Sequence, residues 1–299
     1  MNTEFEKLLL SLRPEKMRTI SVANATDANV LLSLQTAHKM GFINAILCGD
    51  EKQIKSVAHE NGVDISSFEI IHCENELSAA TMAVSLIRSG RADILMKGLI
   101  HTADILRAVL NRETGIRGNG ILSHVSVLYS PKLQRKLFLT DIAMVPYPDL
   151  DKKIQLVKNA VSVAHHIGIK NPLVAPLCAV ETLNPAMQAT VDADVLQKMN
   201  ENGEISGCII SGPISFDIAV SADAAKIKQY NGRIQGDADI LLFDNIEAGN
   251  NTIKAMVQFG DWIFGGIVVG AQAPVIINSR SDGDISKLFS IACACSIIK

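Results

Sequence analysis

The segment ADILMKGLIHTADILRAVLN, residues 92–111, changes its hydrophobic pattern halfway along. Its first half is a short apolar run that is typical of a buried strand and ends at Lys97 and Gly98. Its second half has apolar residues at helical spacing, and Thr102 stands where it can cap that helix. A buried strand that leads into a helix is the repeating unit of α/β proteins. The segment therefore predicts an α/β fold.

The same alternation precedes and follows this segment. TISVA (19–23) comes before a helix that Asp27 can cap, and AILCG (45–49) comes before one that Asp50 can cap. Strands joined by right-handed crossovers pair in parallel, with helices on both faces of the sheet. We therefore predict mostly parallel sheets covered by helices on both sides.

A proline-containing stretch at 129–153 interrupts the alternation, which then resumes as far as the C-terminus. A chain of 299 residues exceeds one ordinary domain, so two lobes are expected. We predict a first α/β domain of residues 1–135 plus 275–299 and a second of residues 136–274.

Composition and charge exclude several classes of protein. The formal net charge is −3 and no block of basic residues is present, so binding to nucleic acid or to an anionic membrane is not expected. The N-terminal segment has too short an apolar run and too many charges for a signal peptide, so we expect a cytoplasmic protein. The six cysteines are scattered without a zinc-binding spacing, and we expect no metal.

Groups able to bind an anion follow three predicted strands. The first set is Lys97, Thr102 and Arg107, and the second is Gly249 and Asn250 within FDNIEAGNNT, where a strand leads into a helix. Ligands of open α/β sheets bind at the carboxyl ends of strands, and small residues at a helix start let a phosphate approach main-chain N–H groups. The alternative interpretation of both sets is ordinary helix capping with solvated charges.

The third set lies in PVIINSRSDGD, residues 274–284, where an apolar strand is followed by Ser279, Arg280 and Asp282. A guanidinium presents paired donors that suit a phosphate or an oxyanion. The alternative is a polar turn. For Asp284 we favour a structural role as the N-cap of the following helix.

Common nucleotide and hydrolase motifs are absent from the sequence. It contains no GxGxxG after the first strand, no GxxxxGK[ST] and no GxSxG. A conventional dinucleotide fingerprint or P-loop is therefore not predicted.

The order and spacing of several pieces resemble the phosphate acetyl- and butyryltransferase family over nearly the full length. These pieces include ADILMKGLIHTADILRAVLN, SHVSVL, AHHIGIKNPLVAPLCAVETLNPAM and GGIVVGAQAPVIINSRSD. The resemblance implies a two-lobed fold like that of isocitrate and isopropylmalate dehydrogenases, with the active site in the inter-lobe cleft. It also implies a homodimer or a higher homo-oligomer.

The implied reaction is the reversible transfer of a short acyl group, butyryl first, between coenzyme A and inorganic phosphate. Coenzyme A and phosphate would act as substrates, with no permanently bound cofactor and no metal. The family places a Ser-Arg pair in the active site, which matches Ser279 and Arg280, and an arginine that matches Arg107. The base matches Asp282 by the butyryl pattern, whereas the acetyl pattern points to Ser286.

The remaining expected contacts to the anion or to coenzyme A are Lys97, Thr102, Gly249 and Asn250. Three alternatives stay open at this point: a phosphate acetyltransferase, a non-catalytic acyl-CoA binding protein, and a hydroxyacid dehydrogenase that uses a metal and a nicotinamide. The last would need an acidic cluster, for which Asp141, Asp217 and Asp244 are the candidates.

Overall fold

A computed structural model describes residues 3–298 of the chain. The strands are β1 (Arg18–Ala23), β2 (Ile43–Gly49), β3 (Glu69–His72), β4 (Ile94–Lys97), β5 (Ser123–Ser130), β6 (Arg135–Thr140), β7 (Leu173–Pro176), β8 (Ile209–Ile210), β9 (Ile240–Leu242), β10 (Ile263–Val269) and β11 (Val275–Ile276). The helices are α1 (Thr3–Ser11), α2 (Ala28–Lys39), α3 (Glu51–Glu60), α4 (Glu76–Arg88), α5 (Thr102–Val109), α6 (Leu150–His166), α7 (Gln188–Glu201), α8 (Phe216–Val220), α9 (Ala222–Ile227), α10 (Ile246–Phe259) and α11 (Asp284–Ser296).

The chain divides into two compact units. The first unit comprises Met1–Gly120 and Ile263–Lys299, and the second comprises Ile121–Trp262. The domain limits predicted from the sequence, 1–135 plus 275–299 and 136–274, stay a prediction.

The first unit contains strands in the order β3-β2-β1-β4-β11-β10. All neighbours in this order pair in parallel except β10 and β11, which are antiparallel. Every residue of β4 is buried, and successive strand residues point to opposite faces, so both faces are covered at this strand. Helix α4 packs on β1, β2 and α5, whereas α11 packs on β10 and α2. This arrangement confirms the predicted α/β class.

The second unit contains strands in the order β5-β6-β9-β7-β8. The β5–β6 pair is antiparallel, and the pairs β6–β9, β9–β7 and β7–β8 are parallel. All three residues of the central strand β9 are buried, and α6 packs against β5, β6 and β9. The second unit is therefore also a mostly parallel α/β layer structure.

Two predicted helix caps are confirmed by their hydrogen bonds. The Asp27 carboxylate accepts from the main-chain N–H of Val30, and the Asp50 carboxylate accepts from that of Gln53, both at 2.9 Å. Each carboxylate satisfies an N–H group that has no partner within the helix. Helices α2 and α3 begin where the sequence predicts.

Two other predicted caps are wrong by one residue. The N-cap of α5 is His101, and Thr102 is its first helical residue. The N-cap of α11 is Gly283, with φ −71° and ψ 173°, so Asp284 also lies inside its helix. In both cases the preceding residue already has the extended backbone of an N-cap, and neither helix has a side-chain cap.

Gly249 and Asn250 lie inside a helix, close to its start. Helix α10 begins at Ile246, after the Asn245 cap, so both residues lie within its first turns. The Asn245 side chain accepts from the N–H of Ala248 at 2.9 Å, which caps the helix at Asn245.

Gly98 allows the ends of β1 and β4 to approach each other closely. A methyl group at Gly98 would lie 2.1 Å from the carbonyl oxygen of Asn24 and 2.8 Å from that of Ala23. The Gly98 N–H donates to the Ala23 carbonyl at 2.9 Å, and the Leu99 N–H donates to the Asn24 carbonyl at 2.8 Å. Any side chain at residue 98 must therefore displace main-chain atoms that are already hydrogen bonded.

We predict that Gly98→Ala lowers the free energy of unfolding by about 3 kcal/mol, because the added methyl overpacks fixed main chain. The control is Gly62→Ala, where no atom lies within 4 Å of the added methyl but φ is +65°. Backbone strain alone should cost that control about 1 kcal/mol. Urea unfolding measures both values, and equal losses in the two variants would contradict the argument.

Candidate anion site in the first unit

The carboxyl ends of β1, β4 and β11 lie side by side along one edge of the first unit. β4 pairs in parallel with β1 on one side and with β11 on the other. Asn24 follows β1, Lys97 ends β4, and the segment 277–283 follows β11. Polar residues that are distant in sequence are therefore collected at the edge where open α/β sheets bind ligands.

Asp282 organises the loop that follows β11. Its Oδ2 atom accepts from the main-chain N–H of Ser279 at 2.8 Å and from Nδ2 of Asn278 at 3.3 Å. Its own N–H donates to the Ser279 carbonyl at 3.2 Å. Among residues 3–298, no side chain or N–H donates to the other carboxylate oxygen, Oδ1. One oxygen of Asp282 thus holds the loop and the other is available to a ligand.

The hydroxyl groups of this loop are close together. The Oγ atoms of Ser279 and Ser281 are 3.0 Å apart, and both side chains are exposed. Arg280 lies between them and is also exposed. The predicted Ser-Arg pair is therefore presented on a tight, internally hydrogen-bonded loop.

Lys97 is a buried cation with few partners. Its residue is 6% exposed, and Nζ donates to the Gly98 carbonyl at 3.3 Å. Burial lowers the pKa of Lys97 below the usual lysine range, the charge of Arg280 lowers it further, and that of Lys287 also contributes; Asp27 and Asp282 oppose the shift. These directions show that Lys97 shares its surroundings with two other cations.

Lys97, Arg280 and Lys287 form what we call the cation cluster. Two carboxylates, Asp27 and Asp282, oppose its three positive charges. The Asp27 carboxylate is also committed to the start of α2. A cluster with excess positive charge beside a hydroxyl-rich loop is suited to an anion.

Sequence reasoning missed Lys287 and Asn278. Lys287 is 2% exposed, and its Nζ donates to the Asp282 carbonyl. Asn278 is 7% exposed, and its Nδ2 also lies 3.2 Å from Oγ of Ser290. The available signal was the position of Lys287, directly before the apolar run of α11.

Arg107 is an exposed residue of α5. Its Nη1 lies 2.6 Å from Oδ1 of Asp104, one helical turn earlier, and its side chain is 71% exposed. It lines a cavity of about 160 Å³ between α4 and α5, together with Thr81 and Asn111. Thr102 opens the same helix. The structure thus places Arg107 and Thr102 on α5, and brings Lys97, Ser279, Arg280 and Asp282 together.

The predicted contacts in the second unit have packing roles. A methyl group at Gly249 would lie 2.8 Å from the carbonyl oxygen of Asp141, so α10 approaches that segment closely. Asn250 Nδ2 donates to the Ile142 carbonyl at 3.1 Å. Both residues fix the N-terminal turn of α10 against residues 141–142.

The three acids named as candidates for a metal site each bind different partners. The Asp141 carboxylate accepts from the main-chain N–H groups of Ala143 and Met144, both at 2.7 Å. Asp217 pairs with Lys228, and Asp244 accepts from Lys153. Within residues 3–298, no group of three or more His, Cys, Asp or Glu side chains is arranged to hold a metal ion.

Lys153, in the second unit, is also a buried lysine. Nζ of Lys153 lies 2.6 Å from Oδ2 of Asp192, and both side chains are buried. Burial acts to lower the pKa of Lys153, but its hydrogen bonds to Asp192 and Asp244 outweigh burial and raise that pKa. The Lys153 ammonium group is therefore paired with carboxylates, whereas the Lys97 ammonium group donates to a carbonyl.

Helices long and apolar enough to cross a lipid bilayer are absent from the part of the chain that the structure describes. The fold and the cation cluster together define an α/β protein with an excess of positive charge at the carboxyl ends of its strands.

Comparisons with family profiles, protein sequences and solved structures all indicate the same family. The profile of the family described as phosphate acetyl/butaryl transferase matches residues 4–81 and 74–295. The chain is 46% identical over 294 residues to the phosphate butyryltransferase of Clostridium acetobutylicum, covering 98% of each chain. It also resembles the crystal structure of a branched-chain phosphotransacylase from Enterococcus faecalis V583, with a TM-score of 0.83, 34% identity, and coverage of 94% of this chain and 99% of that one.

The chain therefore belongs to the phosphate acetyl/butaryl transferase family, and the resemblance stated from the sequence is confirmed. A more distant fold likeness is to a 4-hydroxythreonine-4-phosphate dehydrogenase structure from Salmonella typhimurium, at 12% identity, a TM-score of 0.52, and coverage of 95% of this chain and 100% of that chain. That likeness shows the fold alone, and it supports the predicted dehydrogenase-like architecture.

Proposed function

We propose that the protein catalyses the reversible transfer of a short acyl group, butyryl first, between coenzyme A and inorganic phosphate. The observation that carries this proposal is the cation cluster beside the Ser279–Asp282 loop, in a chain that is 46% identical to a phosphate butyryltransferase. A phosphate dianion matches the excess positive charge and the hydroxyl donors. Acetyl transfer is the alternative, because the family description includes both acyl groups.

In the direction of acyl phosphate formation, a phosphate oxygen attacks the thioester carbonyl and forms a C–O bond. The tetrahedral intermediate then expels the coenzyme A thiolate as the C–S bond breaks, and the thiolate takes up a proton. Arg280 would stabilise the oxyanion, and Lys97 would hold the phosphate. Neither role requires a metal or a bound cofactor.

Asp282 would move the proton. In the reverse direction it takes the proton of the coenzyme A thiol while the sulfur attacks the acyl phosphate. Because Oδ2 is held by the Ser279 N–H, Oδ1 is the oxygen available to the thiol. Ser286, the alternative from the acetyl pattern, lies within α11 and is half-buried.

The remaining predicted residues have supporting roles in this proposal. The Ser279 hydroxyl would donate to the carbonyl oxygen or to the phosphate. Arg107 would act as a phosphate or oxyanion ligand, as the family resemblance implies, and Thr102 as an anion or coenzyme contact. Gly249 and Asn250 would contact coenzyme A from the first turns of α10.

We further propose that the enzyme acts in the cytoplasm on diffusing substrates, as a homodimer or a higher homo-oligomer. The family resemblance supports this assembly. It also supports the absence of a permanently bound cofactor.

The first test follows thiol release from acetyl- to hexanoyl-CoA in phosphate buffer, with and without added Mg²⁺ and NAD. We expect release that depends on phosphate alone and is fastest with butyryl-CoA. Neighbouring chain lengths should remain active, because one methylene changes binding by only about 1–3 kcal/mol. No phosphate-dependent release from any of these thioesters would refute the proposed function.

In the same assay, Arg280→Ala should lower kcat/KM by about 100- to 1000-fold, because an oxyanion donor is lost. The matched control is Arg91→Ala, at the amino end of β4, where the guanidinium pairs with exposed Glu69. It should keep full activity. Near-normal turnover in Arg280→Ala would remove Arg280 from the mechanism.

Asp282→Asn separates the two functions of this side chain. An asparagine oxygen can still accept from the Ser279 N–H, so the melting temperature should stay close to that of the wild type. The base is lost, so kcat with coenzyme A and butyryl phosphate should fall by about 100-fold or more. Activity within tenfold of wild type would mean that Asp282 only shapes the loop.

The lowered pKa of Lys97 predicts a pH-dependent KM for phosphate. Lys97 loses its charge as pH rises through its lowered pKa, below the ordinary lysine value of about 10.4. We expect the KM for phosphate to rise about tenfold over that interval, because one charge-assisted hydrogen bond is lost.

Lys97→Arg keeps the positive charge, so its KM should stay nearly constant over the same interval. Initial rates with butyryl-CoA and phosphate at pH 7 to 10 measure this. Identical profiles in both proteins would exclude Lys97 as the titrating phosphate ligand.

A further inference from the structure

Lys287 is a buried lysine next to the loop that carries the Ser-Arg pair. It lies in the first turn of α11 and is 2% exposed, a level that lysine reaches almost only when paired. Its Nζ donates to the Asp282 carbonyl, and its own N–H donates to the Gly283 carbonyl at 3.2 Å. With so little exposure, the side chain is held inside the protein.

The contacts of Lys287 tie the loop to α11 at Asp282. The same residue holds the Ser279 N–H through its carboxylate. Asn278, at the other end of the loop, lies 3.2 Å from Ser290 on α11, and Ser290 also accepts from the Gly266 N–H at 2.9 Å. The loop is therefore fixed at both ends to one helix, and Arg280 lies between the two attachments.

The hydrogen bond to the neutral Asp282 carbonyl does not by itself explain why the donor is a charged lysine. A buried charge is unfavourable unless it is compensated. Lys287 also acts on Lys97, another buried cation at the same strand edge. A second positive charge near Lys97 raises the potential felt by any anion bound there, without direct contact.

We propose that Lys287 is a positioning residue: it anchors the Ser279–Asp282 loop through the Asp282 carbonyl so that Arg280 is held toward the anion. This inference rests on the proposed function for its catalytic consequence. Its structural part, the anchoring of the loop, is testable by itself.

The test compares Lys287→Met with wild type, with Lys287→Arg as the conservative variant. Methionine fills a similar volume without charge, and replacing a buried ion by an apolar group is often neutral or stabilising. We expect an unchanged or higher melting temperature together with a kcat reduced about 30-fold, because misplacement of a catalytic group is costly. The KM for phosphate should rise while the KM for butyryl-CoA stays the same.

A purely structural lysine would give a different pattern. Activity would then follow the folded fraction, and Lys287→Met would have wild-type kcat and KM values at temperatures where it is folded; that result overturns the proposal. Lys287→Arg should recover most of the lost kcat. The control Lys52→Met, on an exposed position of α3, should change nothing.

Amide hydrogen exchange tests the anchoring independently of activity. In Lys287→Met the amides of residues 279–283 should exchange at least tenfold faster than in wild type, while those of β4 stay unchanged. Unchanged exchange in this segment overturns the proposal, even if the wild type is active. If Lys287→Met does not fold, Lys287→Leu, which also lacks a donor, replaces it in both measurements with the same expected results. An inactive wild type would instead refute the proposed function, and the exchange result would still decide the anchoring.

Discussion

The close approach of Asn24 to Gly98 and Leu99 sets the geometry of the candidate site. Asn24 has a positive φ of 57°, and its Nδ2 donates to the Leu99 carbonyl at 2.6 Å. With the Leu99 N–H bonded to the Asn24 carbonyl, the two chain segments exchange hydrogen bonds just beyond the strands. This exchange holds the β4 end in place, so Lys97 and the neighbouring β11 loop are fixed relative to β1.

The electrostatics of this edge depend on the incomplete neutralisation of buried cations. Lys153 in the second unit has two carboxylate partners and a raised pKa, as a stabilising ion pair should. Lys97 has a carbonyl partner, two cationic neighbours and a lowered pKa. The positive charge of Lys97 is therefore only partly compensated in the folded protein. A bound anion would supply further negative charge. Such contrasts between two buried groups of the same type are typical of ligand sites.

Local signals in the sequence predicted the fold well and the site in part. Asp27 and Asp50 could be assigned because a cap is a short-range interaction between a side chain and an N–H three residues later. The N-caps predicted at Thr102 and Asp284 are each one residue too late, because the backbone conformation of His101 and Gly283 decides where each helix starts. The register of β4 beside β11 is a long-range pairing, and no local pattern encodes it.

Lys287 illustrates why the rest of the site was not predictable. A lysine in the first turn of a helix is normally solvated, and only the packing of α11 on β10 and α2 buries it. Asp282 was predicted as a base, yet its Oδ2 and carbonyl oxygen bind the Ser279 N–H and Lys287. The same residue that is proposed to move the proton thus also determines where Arg280 stands. Loss of Asp282 would remove the base and the loop geometry together, so only substitutions that keep its acceptor can separate the two.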